Sequence, residues 1–171
     1  MKFAIHGPMC SGKTTISEII KEYDTEYKTY SFGGKVKDIA RDLFKMEGKD
    51  RTLLIGVASK MREIDPDVWA KYVVDQIKEE KRDKCIIDDL RFQNEANYLT
   101  DWQFISLTTP KHVRIERIKK LYPNNYTDHI KNMGHVSETD SINLPDNTIY
   151  IDTSIPYESL KKRIIEILTP G

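Results

Sequence analysis

GPMCSGKTT, the run from Gly7 to Thr15, decides how the rest of the chain is read. It follows a short apolar run, Phe3 to Ile5, and precedes a segment with helical spacing that begins at Lys13. The pattern Gly7-x-x-x-x-Gly12-Lys13-Thr14 is a complete Walker A loop in the strand-then-helix setting that such a loop requires. Glycines let the backbone wrap so that successive N–H groups, from Cys10, Ser11 and Gly12 onward to Thr15, point at phosphate oxygens at a helix N-terminus. Lys13 then reaches the β and γ phosphates of a nucleotide, and the Thr14 hydroxyl ligates Mg2+. The Cys10 side chain reads as filler, since the loop works through its backbone, with a reactive thiol as the alternative.

The remaining chain is consistent with one domain built around that loop. At 171 residues it meets the usual size of about 100–200 residues per domain. Lys plus Arg equals Asp plus Glu at 27 each, so no global positive field draws in a nucleic-acid polymer or an anionic membrane. Cys10 and Cys85 lie far apart, which suggests neither a zinc site nor a disulfide framework. No apolar run approaches the roughly 18–20 residues of a membrane span, and Met1 leads straight into a strand-like segment. A cytoplasmic protein is expected.

Strand-like runs recur at Phe3 to Ile5, Thr29 to Phe32, Cys85 to Ile87, Phe104 to Leu107 and Thr148 to Ile151, each followed by helical periodicity. Five strands alternating with helices predict an α/β fold with a five-stranded parallel sheet covered on both faces. In IDPDVWAKYVVDQIKEE, Asp65 is the expected N-cap and Pro66 the first turn of a helix whose stripe is Trp69, Tyr72, Val73 and Ile77. The helical stretch from 35 to 82 is longer than a crossover needs, which points to an acceptor-binding insert. The stretch from 122 to 146 is rich in Asn, Asp, Ser, Gly and Pro and is expected to be a long exposed excursion, a lid.

In KCIIDDLRFQNEA, a buried parallel strand delivers Asp88 and Asp89 to the C-terminal edge of the sheet, where ligands collect. One of the two belongs near the Mg2+. Because side chains alternate along a strand, both are not expected to point the same way; Asp89 has a helix cap as its alternative role. Arg91 is expected beside the phosphates, with an ion pair to Glu95 as the bland option. No base-reading motif of a GTPase is present. Lys35 and Arg62 are candidate cations for an acceptor's phosphate. Asp65 serves as cap or ligand, and Trp69 stacks on a base or sits in the core. Arg114 and Arg117, three apart in KHVRIERIKKLY, share a face at the root of the lid, suited to a transferring phosphoryl group or else to solvent. Ser154 to Pro156 form a turn after the fifth strand, a candidate seat for the donor nucleotide.

The order of the loop, SFGGKVKDIA, REIDPDVW, IIDDLRFQNEA, RIERIKK and GHVSETD resembles the deoxynucleoside monophosphate kinases of phages and large DNA viruses. The likeness spans nearly the whole chain, and DDLRFQNE and HVSE are its most specific parts. It implies a P-loop nucleoside-monophosphate-kinase-like fold and transfer of the γ-phosphate of ATP to a deoxynucleoside 5′-monophosphate (dNMP), with Mg2+. By that resemblance Lys35, Arg62 and Arg91 contact the acceptor, and Asp65, Trp69 and Glu95 line its nucleoside pocket. Asp89, His135, Ser137 and Glu138 join them, while Arg114 and Arg117 act from the lid, Arg114 also toward ATP. Two rivals share the loop: another small-molecule kinase, of the phosphomevalonate or dephospho-coenzyme A type, and a non-catalytic nucleotide-binding module. The oligomeric state is left open, a homodimer included.

Overall fold

Apolar residues alternate faces along each central strand, so the sheet needs cover on both sides. In β1 (Lys2–His6) Ala4 faces one layer and Phe3 and Ile5 the other, all fully buried. The computed structural model describes residues 1–139 and 141–169, with the side chains of Ser137 and Thr139 outside the described set. Beside β1 it contains β2 (Lys28–Tyr30), β3 (Cys85–Leu90), β4 (Gln103–Thr108) and β5 (Ile149–Asp152), all parallel, in the order β2-β3-β1-β4-β5. Helices α1 (Lys13–Tyr23) and α9 (Tyr157–Leu168) cover one face through Ile16, Ile19, Ile20, Leu160 and Ile164. The other face carries α2 (Gly34–Phe44), α3 (Arg51–Ile64), α4 (Val68–Glu79) and α5 (Gln93–Asn97). Among the described residues no helix is long and apolar enough to cross a membrane.

One irregularity matters for chemistry. Ala4 pairs with Ile87 but His6 pairs with Leu90, so β3 carries one more residue than β1 across this step, at Asp88 and Asp89. A bulge of this kind re-aims side chains beside a site.

The start of α4 differs from the sequence expectation. The helix begins at Val68 with Asp67 at its N-cap, while Asp65 closes α3 and its carboxylate accepts from Asp67 N–H at 3.0 Å and pairs with Lys71 at 2.9 Å. The Asp65 side chain therefore shapes the turn between two helices. Of the expected stripe, Trp69, Val73 and Ile77 are buried and Tyr72 is exposed.

The excursion after α6 (Lys111–Leu121) is also not an open loop. It folds into α7 (Tyr126–Lys131), a 3₁₀ turn at Asn132–Gly134 and α8 (Val136–Thr139). Polar residues that looked like loop chemistry make the docking contacts. Asp128 accepts from Arg51 N–H at 3.0 Å and Thr52 Oγ1 at 2.6 Å, in the first turn of α3, where the helix dipole favours an anion. Asn125 donates to the Lys49 carbonyl at 2.9 Å. Met133, Ile130 and Tyr122 pack with Ile118 against Met9 and Cys10 of the phosphate loop.

Under this cover His129 is fully buried, its ring stacked on Tyr122 with centroids 3.9 Å apart, and neither ring nitrogen has a hydrogen-bond partner among the described residues. Burial, then the neighbouring charges of Arg51 and Lys49, hold its pKa below the ordinary value against the pull of Asp128. The folded state thus binds fewer protons than the unfolded chain once pH drops below about 6.5, so stability is lost as pH falls through that range. Melting curves between about pH 7.5 and 5.5 are expected to show a smaller loss for His129→Phe than for the parent. Parallel curves would remove His129 from the balance.

Candidate active site

The phosphate loop is shaped by close approach. At Gly7 an added Cβ would meet Ser11 Oγ at 2.5 Å and Leu107 Cβ at 3.0 Å, and Gly12 sits at φ 98°, the left-handed region that favours glycine. Cys10 also has a positive φ, 58°. The Lys13 ammonium lies across the loop, donating to the Gly7 carbonyl at 2.6 Å and the Pro8 carbonyl at 2.8 Å. Burial, with Arg91 nearby, pushes its pKa down to about 7. Among the described residues its hydrogen bonds go to neutral carbonyls, which leaves a buried cation poised for an anion.

Around the loop runs one cavity of about 830 Å³. The residues from Cys10 to Thr15 form its middle, and Arg117, Thr153, Ile155 and Tyr157 form one end. The other end lies under α2 and α3, with walls from Phe32, Val36, Leu54, Ile55 and Ala58 and polar groups from Lys37, Lys49, Arg51, Ser59, Arg62, Asp89, Arg91 and Glu95. His135 lines it as well.

Both aspartates of β3 line this cavity, contrary to strict alternation, because the bulge falls on them. Their surroundings differ. Asp89 is saturated: it accepts from Ser31 Oγ at 2.7 Å, Phe32 N–H at 2.9 Å and Gly33 N–H at 2.8 Å, fixing the turn from β2 into α2. It does not cap α5. Asp88 has neither ion pair nor side-chain hydrogen bond among the described residues, and burial together with Asp89 raises its pKa to about 6. An unpaired carboxylate and the Thr14 hydroxyl, both hard oxygen donors lining one cavity, suit Mg2+, which takes few protein ligands and keeps waters. Among the described residues no group of three or more acidic, histidine or cysteine side chains forms a closed metal cage.

At the α2–α3 end, Glu95 is nearly fully buried and accepts from Arg91 N–H at 2.9 Å and Phe92 N–H at 3.0 Å. The bland alternative for Arg91, an ion pair with the Glu95 side chain, gives way to these backbone contacts, and the Arg91 guanidinium pairs with Glu138. Arg62 instead meets Glu95, at 3.5 Å, and lies over the Phe92 ring with its guanidinium carbon 4.3 Å from the centroid. Burial raises the Glu95 pKa to about 7.

Several expected residues stand elsewhere. Lys35 is exposed on α2, and Lys37, two positions on, lines the cavity. Trp69 is a core residue whose indole N–H donates to the Ala58 carbonyl at 3.3 Å, and Asp65 is occupied as described. Arg117 lines the cavity with its guanidinium bonded to the Cys10 carbonyl at 3.1 Å and the Thr153 carbonyl at 2.7 Å, which ties the loop to the end of β5. Arg114 does not line it, and its Nε is buried without a partner among the described residues. Ser154 turns back onto Asp152 at 2.7 Å and Pro156 precedes α9, so Thr153, Ile155 and Tyr157 line the cavity in their place. The Ser137 side chain lies outside the described residues. Sequence reading missed Lys37, Lys49, Arg51 and Phe92; the one signal was Asp50, whose carboxylate accepts from Leu53 N–H at 2.9 Å and so marks Arg51, which lines the cavity, as the first residue of a helix.

The AAA domain family matches residues 4–137. A search of curated proteins returns no match. Solved structures with this fold include an unliganded sugar kinase from Janibacter sp. HTCC2649, with TM-score 0.62 and 17% identity over 98% of this chain and 93% of that one. A gluconokinase from Sinorhizobium meliloti 1021 aligns with TM-score 0.56 and 13% identity over 95% of this chain and 88% of the other. A shikimate kinase from Acinetobacter baumannii in complex with shikimate gives 0.55 and 15% over 98% and 92%.

Proposed function

This chain belongs to the AAA domain family and has the fold seen in P-loop kinases, and we propose that it transfers the γ-phosphate of ATP to a deoxynucleoside 5′-monophosphate, giving the diphosphate and ADP. The observation that carries this reading is the single cavity with the phosphate loop at its centre and a cationic, apolar-walled chamber on the far side from Thr153 and Tyr157. ATP binds with its phosphates on the loop and its base toward Thr153, Ile155 and Tyr157. The acceptor's base lies between the α2–α3 wall and Phe92, where Arg62 and Glu95 offer donors and an acceptor to its edge. The sequence likeness set out above supports the choice of acceptor class.

A phosphate monoester is nucleophilic at neutral pH, so no strong base is needed; alignment, charge neutralisation and exclusion of water carry the reaction. Lys13 leaves its two carbonyls for phosphate oxygens. Arg91 neutralises the acceptor's phosphate. Thr14, with Asp88 directly or through water, would hold Mg2+, which would supply neutralisation of the charge on the phosphates. Docking of α7 and α8 excludes water from the loop, as a kinase needs to avoid hydrolysing ATP.

The same fold in the sugar, gluconate and shikimate kinases supports a second reading, a kinase for another small molecule. ADP release with ATP, Mg2+ and each common nucleoside monophosphate, in ribo and deoxy form, with gluconate and shikimate alongside, separates the two. The deoxynucleotides are expected to give turnover; turnover only with a sugar acid or shikimate would overturn the reading. Arg62→Ala and Arg91→Ala are expected to raise KM for the acceptor at least about tenfold while changing KM for ATP much less.

A further inference from the structure

Donors from three elements converge on one carboxylate at the mouth of the phosphate loop. Glu138, on α8, accepts from Met9 N–H at 2.6 Å, pairs with the Arg91 guanidinium and lies 3.8 Å from Arg51 Nη1. Its side chain is 1% exposed. Arg51 is nearly buried too, and its Nε has no partner among the described residues, so this guanidinium has donor capacity to spare. Both arginines line the cavity beside Lys13. Two guanidinium forks and a loop N–H around one anion are what a phosphoryl group requires, yet the anion held there is the protein's own.

We propose that Glu138 is a built-in stand-in for a phosphoryl group: it fills an anion site formed by Arg51, Arg91 and Met9 N–H in the free protein and yields that site to the phosphate of the acceptor. The inference rests on the kinase reading for the identity of the incoming phosphate. Without an internal anion, Arg51, Arg91 and Lys13 would face one another across a partly desolvated space, an arrangement that costs stability. The carboxylate removes that repulsion while the site waits. A phosphate brings more charge and more acceptor oxygens to the same donors, and it cannot share them with a carboxylate of like sign. The exchange moves the Glu138 side chain off Met9 N–H and the arginines, while the lid stays docked through Asn125 and Asp128 on Lys49, Arg51 and Thr52.

The test uses inorganic phosphate as the probe, titrated calorimetrically into protein saturated with Mg2+ and a non-hydrolysable ATP analogue so that the β and γ positions of the loop are filled. Glu138→Gln keeps the size of the side chain and removes its charge; it is expected to bind phosphate about tenfold more tightly than the parent, because the competitor is gone. Arg51→Ala is expected to bind it about tenfold more weakly. Should Glu138→Gln fold poorly, Glu138→Asp draws the carboxylate back by one methylene and is expected to tighten binding in the same direction. Phosphate binding by Glu138→Gln that is unchanged or weaker, as a purely structural carboxylate requires, would overturn the proposal. The binding series needs no turnover: tightening with no nucleoside monophosphate phosphorylated would overturn the kinase reading and leave the anion site standing.

Discussion

Lys13→Ala is expected to lower kcat for phosphoryl transfer by about 10²–10³-fold with an unchanged far-ultraviolet circular dichroism spectrum. The side chain spans the loop to the Gly7 and Pro8 carbonyls and fills no hydrophobic core, so its removal deletes charge without emptying packed volume. Its depressed pKa belongs to the phosphate-free loop, where burial and Arg91 outweigh the pull of Glu138 and Asp89, neither of them a hydrogen-bonded anion on the ammonium. A bound polyphosphate supplies that anion and restores the full charge where the transition state needs it. A coupled ADP assay decides the matter. Retention of more than about a tenth of the parent rate, a loss under roughly 1.4 kcal/mol, would refute the role.

The two aspartates of β3 should fail in different ways. Asp88→Asn is expected to raise the Mg2+ concentration needed for half-maximal rate, or to lower kcat, by about 10–100-fold while the melting temperature stays within a few degrees. No protein donor relies on its carboxylate among the described residues, so only the metal loses a partner. Asp89→Asn presents an amide N–H₂ to a set of donors, Ser31 Oγ and the N–H groups of Phe32 and Gly33. A loss of about 1–3 kcal/mol in denaturant unfolding is expected for it. Its Mg2+ dependence should shift little. The reverse pattern, a metal defect at Asp89 and a stability defect at Asp88, would exchange their roles.

The architecture was legible because the signals were local. Five apolar runs gave five strands, and the Walker pattern put α1 at its observed first residue, Lys13. The site was legible where a motif fixes direction, as it does from Cys10 to Thr15 and at Asp88. It was illegible where a side chain's aim depends on a neighbour in space. Alternation in β3 suggested opposite directions for Asp88 and Asp89, and a single extra residue against β1 brought both to the cavity. Lys35 and Lys37 differ by two positions on a helix whose orientation is set by Val36 and Ala40 in the core, and periodicity alone did not choose between them. The stretch from 122 to 146 looked like a loop because residues such as Asn125, Asp128 and Asn132 are turn-forming types. Here their side chains act at a distance, on Lys49, Arg51 and Thr52, some 76 to 80 positions away in sequence.

The strand order also sets a timetable for synthesis. β1 sits between β3 and β4, yet it is translated first, and its partners begin only at Cys85 and Gln103. At about 5–20 residues per second, Phe3, Ala4 and Ile5 wait about 5–20 s before both neighbouring strands exist. During that interval β1, whose Phe3, Ala4 and Ile5 are all destined for the core, has two unpaired edges, the exposure that invites pairing with another chain. Nothing made before β3 can close it, since β2 pairs with β3 and not with β1. The central strand of the sheet is therefore the one that waits longest for its neighbours, and it gains both of them only once β4 has left the ribosomal exit tunnel.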